Sequence, residues 1–206
     1  MIKKNTTYLL ILLAALIISS CDKDDDNNNN NIPTNCTNIT GWIKNGHEWV
    51  YANNPILIYA DSLFVNMQEV STGIFKNTST YDDGILYGSY FAYLKPCDNI
   101  IYQSTSSSMS NPMVAYHIDG AIGETWTSTV ISSGGHTVSN TVEITAKNIS
   151  VTVPAGTFSC IKYHMTSVST QPGSITVESD IYFNNDYGMI KTDGNTTSYV
   201  LVRKNF

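Results

Sequence analysis

The chain has 206 residues, of which 42% are hydrophobic and 14% are charged, and its formal net charge is −6. No basic stripe interrupts this acidic balance, so nucleic acid is excluded as a partner. From residue 40 onward the length is that of one ordinary domain with a core of its own.

The N-terminus has the parts of an export signal. Lys3 and Lys4 supply positive charge, and an uncharged apolar run follows over residues 7–18. This run is short for a permanent membrane span, although a retained anchor is the alternative. The next residues, IISSC, resemble the lipobox of bacterial lipoproteins, in which the signal is removed and the cysteine is acylated. The resemblance implies a signal peptide over residues 1–20 and a lipidated Cys21 that attaches the protein to a membrane.

An acidic, asparagine-rich segment follows Cys21. Residues 22–35 read DKDDDNNNNNIPTN and have almost nothing apolar to bury, which predicts a disordered tether over residues 21–39. Lys23 followed by two aspartates resembles the surface-export signal of Bacteroidetes lipoproteins. That resemblance implies an outer-membrane protein exposed at the cell surface. The alternatives are a periplasm-facing protein, or acids that only keep the tether solvated.

Three further cysteines are available for pairing. An exported protein folds in an oxidising compartment, so one disulfide is expected among Cys36, Cys97 and Cys160, and the sequence leaves all three pairings open. Cys160 lies inside a strand pattern and is interpreted as a small buried apolar residue. This favours Cys36 with Cys97.

The domain over residues 40–206 is predicted to be all-β. Tyr, Thr, Val, Ile and Phe are abundant, turn residues recur every ten or so positions, and no window has a sustained helical period. Several strands are apolar on both faces, which favours a single curved antiparallel sheet of about a dozen strands, a half-barrel or barrel, over a flat sheet with one wet face; a sandwich is the alternative. The predicted strands are 47–53, 62–70, 72–80, 85–94, 99–105, 113–118, 124–132, 136–145, 148–153, 157–168, 174–184, 188–193 and 197–205.

The phrase VPAGTF, at residues 153–158, is the most distinctive motif of the domain. Pro154 ends one strand because it lacks an N–H, and Gly156 permits a positive φ before the next strand begins. No His or acid stands near Thr157 or Ser159 in a recognisable nucleophile–base arrangement. The motif therefore predicts a hairpin and no catalytic group.

VPAGTF, together with the earlier GETW at 123–126 and the later IYFNNDYGMIK at 181–191, resembles a group of Bacteroidetes lipoproteins of uncharacterised function. Their fold is similar to the half-barrels of periplasmic lipoprotein carriers, and the resemblance covers residues 41–201. The chain departs from the group at Asn184–Tyr187, where relatives place Ala-Pro-Gly, so nothing is inferred for that loop. The resemblance brings no catalytic residues.

Residues that could carry chemistry form no motif. The four histidines have no metal-ligand spacing, and Asp82-Asp83-Gly84 is interpreted as a turn and not a calcium loop. We therefore predict no metal, no cofactor and no enzymatic activity. Asp61-Ser62-Leu63 resembles the Bacteroidetes O-glycosylation motif and marks Ser62 as a candidate site. The four histidines are His47, His117, His136 and His164.

Two classes of function remain after these exclusions. The leading hypothesis is a surface lipoprotein that binds a hydrophobic or amphipathic molecule, such as a lipid, on a concave β face. The alternative is a structural or interaction module, adhesin-like or glycan-binding, with a filled core. Its glycan-binding form requires Trp42, Trp49 or Trp126 to be exposed as a stacking platform, although their strand context favours core positions for the last two. The oligomeric state is left open.

Overall fold

The computed structural model describes a β domain without helices. The described residues are 32–33, 36, 41–53, 62–82, 87–131, 137–170, 175–195 and 198–206. Within these ranges the all-β prediction is confirmed, and they offer no helix with the length and apolar character to cross a membrane. The strands are β1 (Glu48–Asn53), β2 (Ser62–Ser71), β3 (Ile74–Asp82), β4 (Tyr87–Cys97), β5 (Ile100–Ser104), β6 (Met113–His117), β7 (Thr125–Ile131), β8 (Thr137–Val153), β9 (Gly156–Ser169), β10 (Ile175–Asn184), β11 (Gly188–Gly194) and β12 (Ser198–Lys204).

All twelve strands belong to one antiparallel sheet, which curls into a nearly closed barrel. Its order is β6-β5-β4-β3-β2-β1-β12-β11-β10-β9-β8-β7, so consecutive strands are neighbours except β6 and β7, and β1 pairs with β12. β6 and β7 come close without a ladder between their described residues, and we call this boundary the seam. The predicted single curved sheet is thus confirmed.

The alternation of side chains along each strand determines which residues face the interior. In β8, Val138, Asn140, Val142 and Ile144 are buried, whereas the residues between them are at least partly exposed. Successive strand residues point to opposite faces, so these four line the inside of the barrel. The apolar residues on the outer face, such as Phe91 at 42% exposure, do not contribute to the core.

β8 differs from the prediction, which divided it into two strands at 136–145 and 148–153. The structure has one strand of 17 residues that stays paired with β9 through irregularities between Ile144 and Ile149. Asn148 adopts a positive φ of 59° there, a conformation that asparagine tolerates better than most residues. The polar pair Lys147-Asn148 therefore marks a bulge that bends the strand, and not a turn.

The two ends of the barrel are built differently. At one end the segment 41–47 crosses the opening and buries Trp42 and Ile43, and Gly46 N–H donates to the carbonyl of Met67 (2.9 Å). We call this the plugged end; β1 starts and β12 finishes here. At the opposite end, the cavity end, the chain passes from β1 to β2, β3 to β4, β5 to β6, β7 to β8, β9 to β10 and β11 to β12.

Candidate functional site: the barrel interior

Aromatic side chains fill the plugged end. The ring of Trp42 makes edge contacts with Trp49 at 5.9 Å and with Phe183 at 5.5 Å between centroids. Phe206, near the C-terminus, packs on Trp49 at 5.1 Å and stacks on His47 at 3.8 Å. Edge-to-face pairs of this kind add to the stabilisation from apolar burial, so this cluster is core.

The polar atoms of three of these buried rings are satisfied by the backbone. Trp49 Nε1 donates to the carbonyl of Tyr187 (2.8 Å), Tyr51 Oη to that of Met189 (2.9 Å) and Tyr163 Oη to that of His117 (2.9 Å). Burial raises the pKa of Tyr51 and Tyr163, and Tyr116 adds to the rise in both cases. These hydroxyls therefore stay neutral, and their protons are donated to the backbone.

The tryptophans do not form an exposed platform. Trp42 and Trp49 are buried, and the half-buried Trp126 stacks on His117 with 4.5 Å between centroids. The condition attached to the glycan-binding alternative, an exposed tryptophan, is therefore wrong for these three residues.

A cavity of about 130 Å³ lies inside the barrel, above the aromatic floor. Its walls are mostly apolar, with side chains such as Leu63, Ala92 and Met165. Tyr116 forms part of its boundary and stacks on Phe183 at 4.7 Å. Burial raises the pKa of Tyr116 to about 12. None of the described residues that line this cavity carries a charge.

Two asparagines bring unsatisfied polar atoms to the cavity wall. Asn140 is 1% exposed; its Oδ1 accepts a hydrogen bond from Ser167 Oγ (2.6 Å), whereas its Nδ2 has no partner among the described residues. Asn77 also lines the cavity, and its buried Oδ1 lacks a described partner too. A buried polar atom without a partner is costly, so such atoms mark places where a ligand or water completes the bonding.

The seam runs beside this cavity, since Val114 and Ala115 of β6 and Ser128 of β7 are among the lining residues. Side chains bridge it. Near the plugged end His117 of β6 stacks on Trp126 of β7 with 4.5 Å between ring centroids, and its imidazole pairs with the carboxylate of Glu124, just before β7. Near the cavity end Met113 of β6 packs on Val138 of β8, beyond the seam. Among the described residues, side chains and not a ladder therefore connect the two sides.

The cysteines of the favoured pair are joined. Cys36 and Cys97 form a disulfide across a sequence separation of 61, at the end of β4 and thus at the plugged end. Cys160 is a free, buried thiol, and burial raises its pKa to about 11. It is therefore an unreactive core residue. The candidate lipidation site Cys21 lies outside the described residues.

The VPAGTF motif forms the hairpin between β8 and β9 at the plugged end. Pro154 occupies the turn, and Gly156 has a φ of +135°, in the region that favours glycine. Val153 and Phe158 point into the core on either side, and Ala155 N–H donates to the Leu201 carbonyl (3.2 Å). The motif fastens the hairpin to β12 and lies away from the cavity.

The remaining candidates are dispersed. His47 donates from Nδ1 to the Trp42 carbonyl (3.0 Å), and His164 pairs with Asp180 on the outer wall (3.0 Å). His136, Asp83 and Gly84 lie outside the described residues, among which no three potential metal ligands converge. Ser62 begins β2 and is half-buried.

Asn77 and Asn140 were not among the residues predicted from the sequence. For Asn140 a signal was present, because it is the polar member of an otherwise apolar inward series, Val138, Asn140, Val142 and Ile144. Asn77 shares its inward series with Ser79, which is also polar and buried, so its position is less distinctive. Only the curvature of the sheet brings β3 and β8 to one cavity.

No family model and no curated protein matches this chain. Its fold is similar to that of a Bacteroides fragilis protein assigned as exported and described as having a YmcC-like fold, with a TM-score of 0.57, 13% identity, and coverage of 82% of this chain and 100% of that chain. It is also similar to a protein from Parabacteroides distasonis assigned as a lipoprotein, with a TM-score of 0.55, 16% identity, and coverage of 84% and 100%. At these identities the likeness shows that this chain shares the fold of the two proteins.

Proposed function

We propose that this chain is a non-enzymatic lipoprotein of the outer membrane, exposed at the cell surface, whose barrel holds the apolar part of a small amphipathic molecule. The observation that carries the proposal is the cavity of about 130 Å³, whose described lining residues are mostly apolar and carry no charge, and in which Asn77 and Asn140 present polar atoms without described partners. Ligand sites typically combine apolar walls with a few placed polar groups.

The size of the cavity limits what it can hold. A cavity of ~150 Å³ in a protein core accommodates a benzene-sized molecule. A group of about six carbons is therefore the largest apolar segment that fits here, and a long acyl chain would have to extend beyond the cavity. The bound molecule is thus either small or inserted by one end only.

The attachment of the tether orients the barrel. Cys36 joins the plugged end through Cys97, and the lipobox-like residues place the acylated Cys21 before it in the chain. An anchor at the plugged end leaves the cavity end directed away from the membrane. The likeness to proteins assigned as exported or as lipoproteins supports an envelope location.

The test is a calorimetric titration of the mature chain with 1-hexanol. The chain carries Cys21→Ser, which prevents acylation, so that no detergent is needed that could occupy the cavity. Leucine in place of Ala92, which lines the cavity, fills part of its volume and should weaken hexanol binding at least tenfold. The matched control is leucine in place of Ala52, a half-buried residue of β1 that is not among the cavity-lining residues. This substitution should leave hexanol binding unchanged. Failure of the unsubstituted barrel to bind hexanol, or equal weakening by both leucines, would overturn the proposal.

The interaction-module alternative is supported by a different surface. Phe64 and Phe91 are 45% and 42% exposed on the outer face of β2 and β4, and between them Thr80 and Ser89 share a hydrogen bond (3.0 Å). Exposed rings beside hydroxyls suit stacking on a glycan. This alternative predicts retardation in polysaccharide gels that is lost in Phe91→Ala and retained in Ala92→Leu.

A further inference from the structure

We infer that the cavity selects a ligand whose apolar segment carries an uncharged polar group, an amide or a hydroxyl, and discriminates against carboxylates and ammonium groups. This inference rests on the proposed function, because it specifies the chemistry of the molecule that enters the same cavity.

Asn140 supplies a hydrogen-bond donor. The Ser167 hydroxyl donates to its Oδ1 at 2.6 Å, so in this arrangement the Nδ2 end of the amide faces away from Ser167. The Nδ2 group is left without a described partner on a residue that is 1% exposed and lines the cavity. A ligand atom bound there must therefore be an acceptor.

Asn77 supplies an acceptor on another part of the wall. Its buried Oδ1 lacks a described partner. Asn77 lies on β3, and four strands, β4 to β7, separate β3 from the strand of Asn140 when the count passes through the seam. A second donor that has no partner in the described part of the chain, Trp42 Nε1, belongs to the floor of the same cavity. An amide offers both a carbonyl and an N–H, and a hydroxyl both donates and accepts, so these groups match the wall.

A charged group finds no counter-charge in the lining. The lining residues within the described part of the chain include no Lys, Arg, His, Asp or Glu. The hydroxyl of Tyr51 and the indole N–H of Trp49, which also line the cavity, already donate to backbone carbonyls. A buried carboxylate or ammonium without a partner is strongly disfavoured, so a charged head would have to stay outside or lose its charge.

The experiment compares four probes that share a six-carbon chain: hexanamide, 1-hexanol, hexanoate and hexylammonium. Each is titrated at pH 7 into the mature Cys21→Ser chain by calorimetry. We expect hexanamide and 1-hexanol to bind at least tenfold more tightly than the two charged probes. Hexanoate should gain affinity below about pH 4, where a carboxyl group becomes neutral, while 1-hexanol measured at the same pH serves as the control.

Two variants assign the preference to the asparagines. Asn140→Leu removes the donor and Asn77→Leu removes the acceptor. Each substitution should weaken the binding of hexanamide at least fivefold more than it weakens the binding of hexane, the hydrocarbon analogue of 1-hexanol. Asn66→Leu, on the exposed face of β2, is the matched control and should change neither. Circular dichroism identifies any variant that does not fold, and the other variant then carries the test.

The outcomes separate this inference from the proposed function. Binding of none of the probes, hexane included, contradicts the cavity as a ligand site and removes both. Binding of hexanoate or hexylammonium as tightly as 1-hexanol overturns the inference and leaves the proposed function standing. A hexanamide preference that survives both leucine substitutions overturns it as well.

Discussion

The plugged end and the cavity end share the same twelve strands but differ in how their buried polar atoms are satisfied. At the plugged end rings contact rings, and the ring donors of Trp49 and Tyr51 reach backbone carbonyls, although Trp42 Nε1 has no described partner. At the cavity end Asn77 and Asn140 each have a buried polar atom without a described partner on the cavity wall. The difference teaches that one wall can be packed for stability at one end and leave polar side-chain atoms unsatisfied at the other.

The largest effect is expected from removing a ring of the plugged end. Trp49→Ala should lower the free energy of unfolding by about 3–5 kcal/mol, because it leaves a large cavity and removes the donor to the Tyr187 carbonyl. Denaturant titration measures this loss in the free energy of unfolding. Phe91→Ala, which truncates an exposed ring, is the control and should stay within about 0.5 kcal/mol of the unsubstituted chain. Equal losses in the two variants would refute the assignment of the plugged end as the stabilising region.

The next effect concerns the covalent link at the plugged end. Cys36→Ser with Cys97→Ser should cost about 2–4 kcal/mol, because the disulfide spans a separation of 61 residues and restricts the unfolded chain. Thermal unfolding measures the loss. The unsubstituted chain in strong reductant provides the control and should match the variant. A variant as stable as the oxidised chain would show that the disulfide attaches the N-terminal segment to the barrel without stabilising the fold.

A substitution at the cavity end should have the opposite sign. Asn77→Leu should raise the free energy of unfolding by about 1 kcal/mol, because it removes an unsatisfied buried acceptor from an apolar wall. The same variant should bind hexanamide more weakly. Asn66→Leu on the exposed face measures the effect of leucine alone. A destabilised Asn77→Leu would mean that this oxygen is satisfied in solution and that the two ends do not differ as described.

The smallest effect lies on the outer wall, away from both ends. Partial burial alone would raise the pKa of Asp180, but hydrogen bonds from Lys162 and His164 outweigh it and hold the pKa below its ordinary value of 3.8. A lowered pKa stabilises the fold above 3.8, and this contribution is lost as the pH falls through the folded-state value. Asp180→Asn should therefore cost about 0.5–1 kcal/mol at pH 7 and less at pH 3. Glu178→Gln, at an exposed position on the same strand, is the control in pH-dependent melts.

Most of the fold followed from local patterns. Strand positions were set by β-branched and aromatic residues between turn residues, and connections between consecutive strands predicted antiparallel neighbours. The division of β8 was wrong because a bulge and a turn both use polar residues such as Asn148. The seam and the β1–β12 pair could not be predicted from local patterns, because they depend on contacts between residues far apart in the chain.

The candidate site was less accessible to sequence analysis than the fold. The hypothesis of a concave apolar face pointed to the interior, but the residues that set its chemistry, Asn77 and Asn140, lie on strands that only the completed barrel brings to one cavity. The most distinctive motif, VPAGTF, forms a hairpin turn at the opposite end of the barrel, where it is hydrogen-bonded to β12. A distinctive phrase in a β protein can thus reflect turn geometry alone.

The pairing of β1 with β12 has a consequence for biogenesis. Ten of the eleven neighbouring pairs in the sheet join consecutive strands, whereas this one joins β1 to β12 and cannot form until β12 is available. Until then the edges of β1 and β11 are open in addition to those of β6 and β7 at the seam, and other chains can pair with them. A truncation that removes β12 would leave the β1 and β11 edges open permanently, so the truncated chain should aggregate more readily than the full sequence.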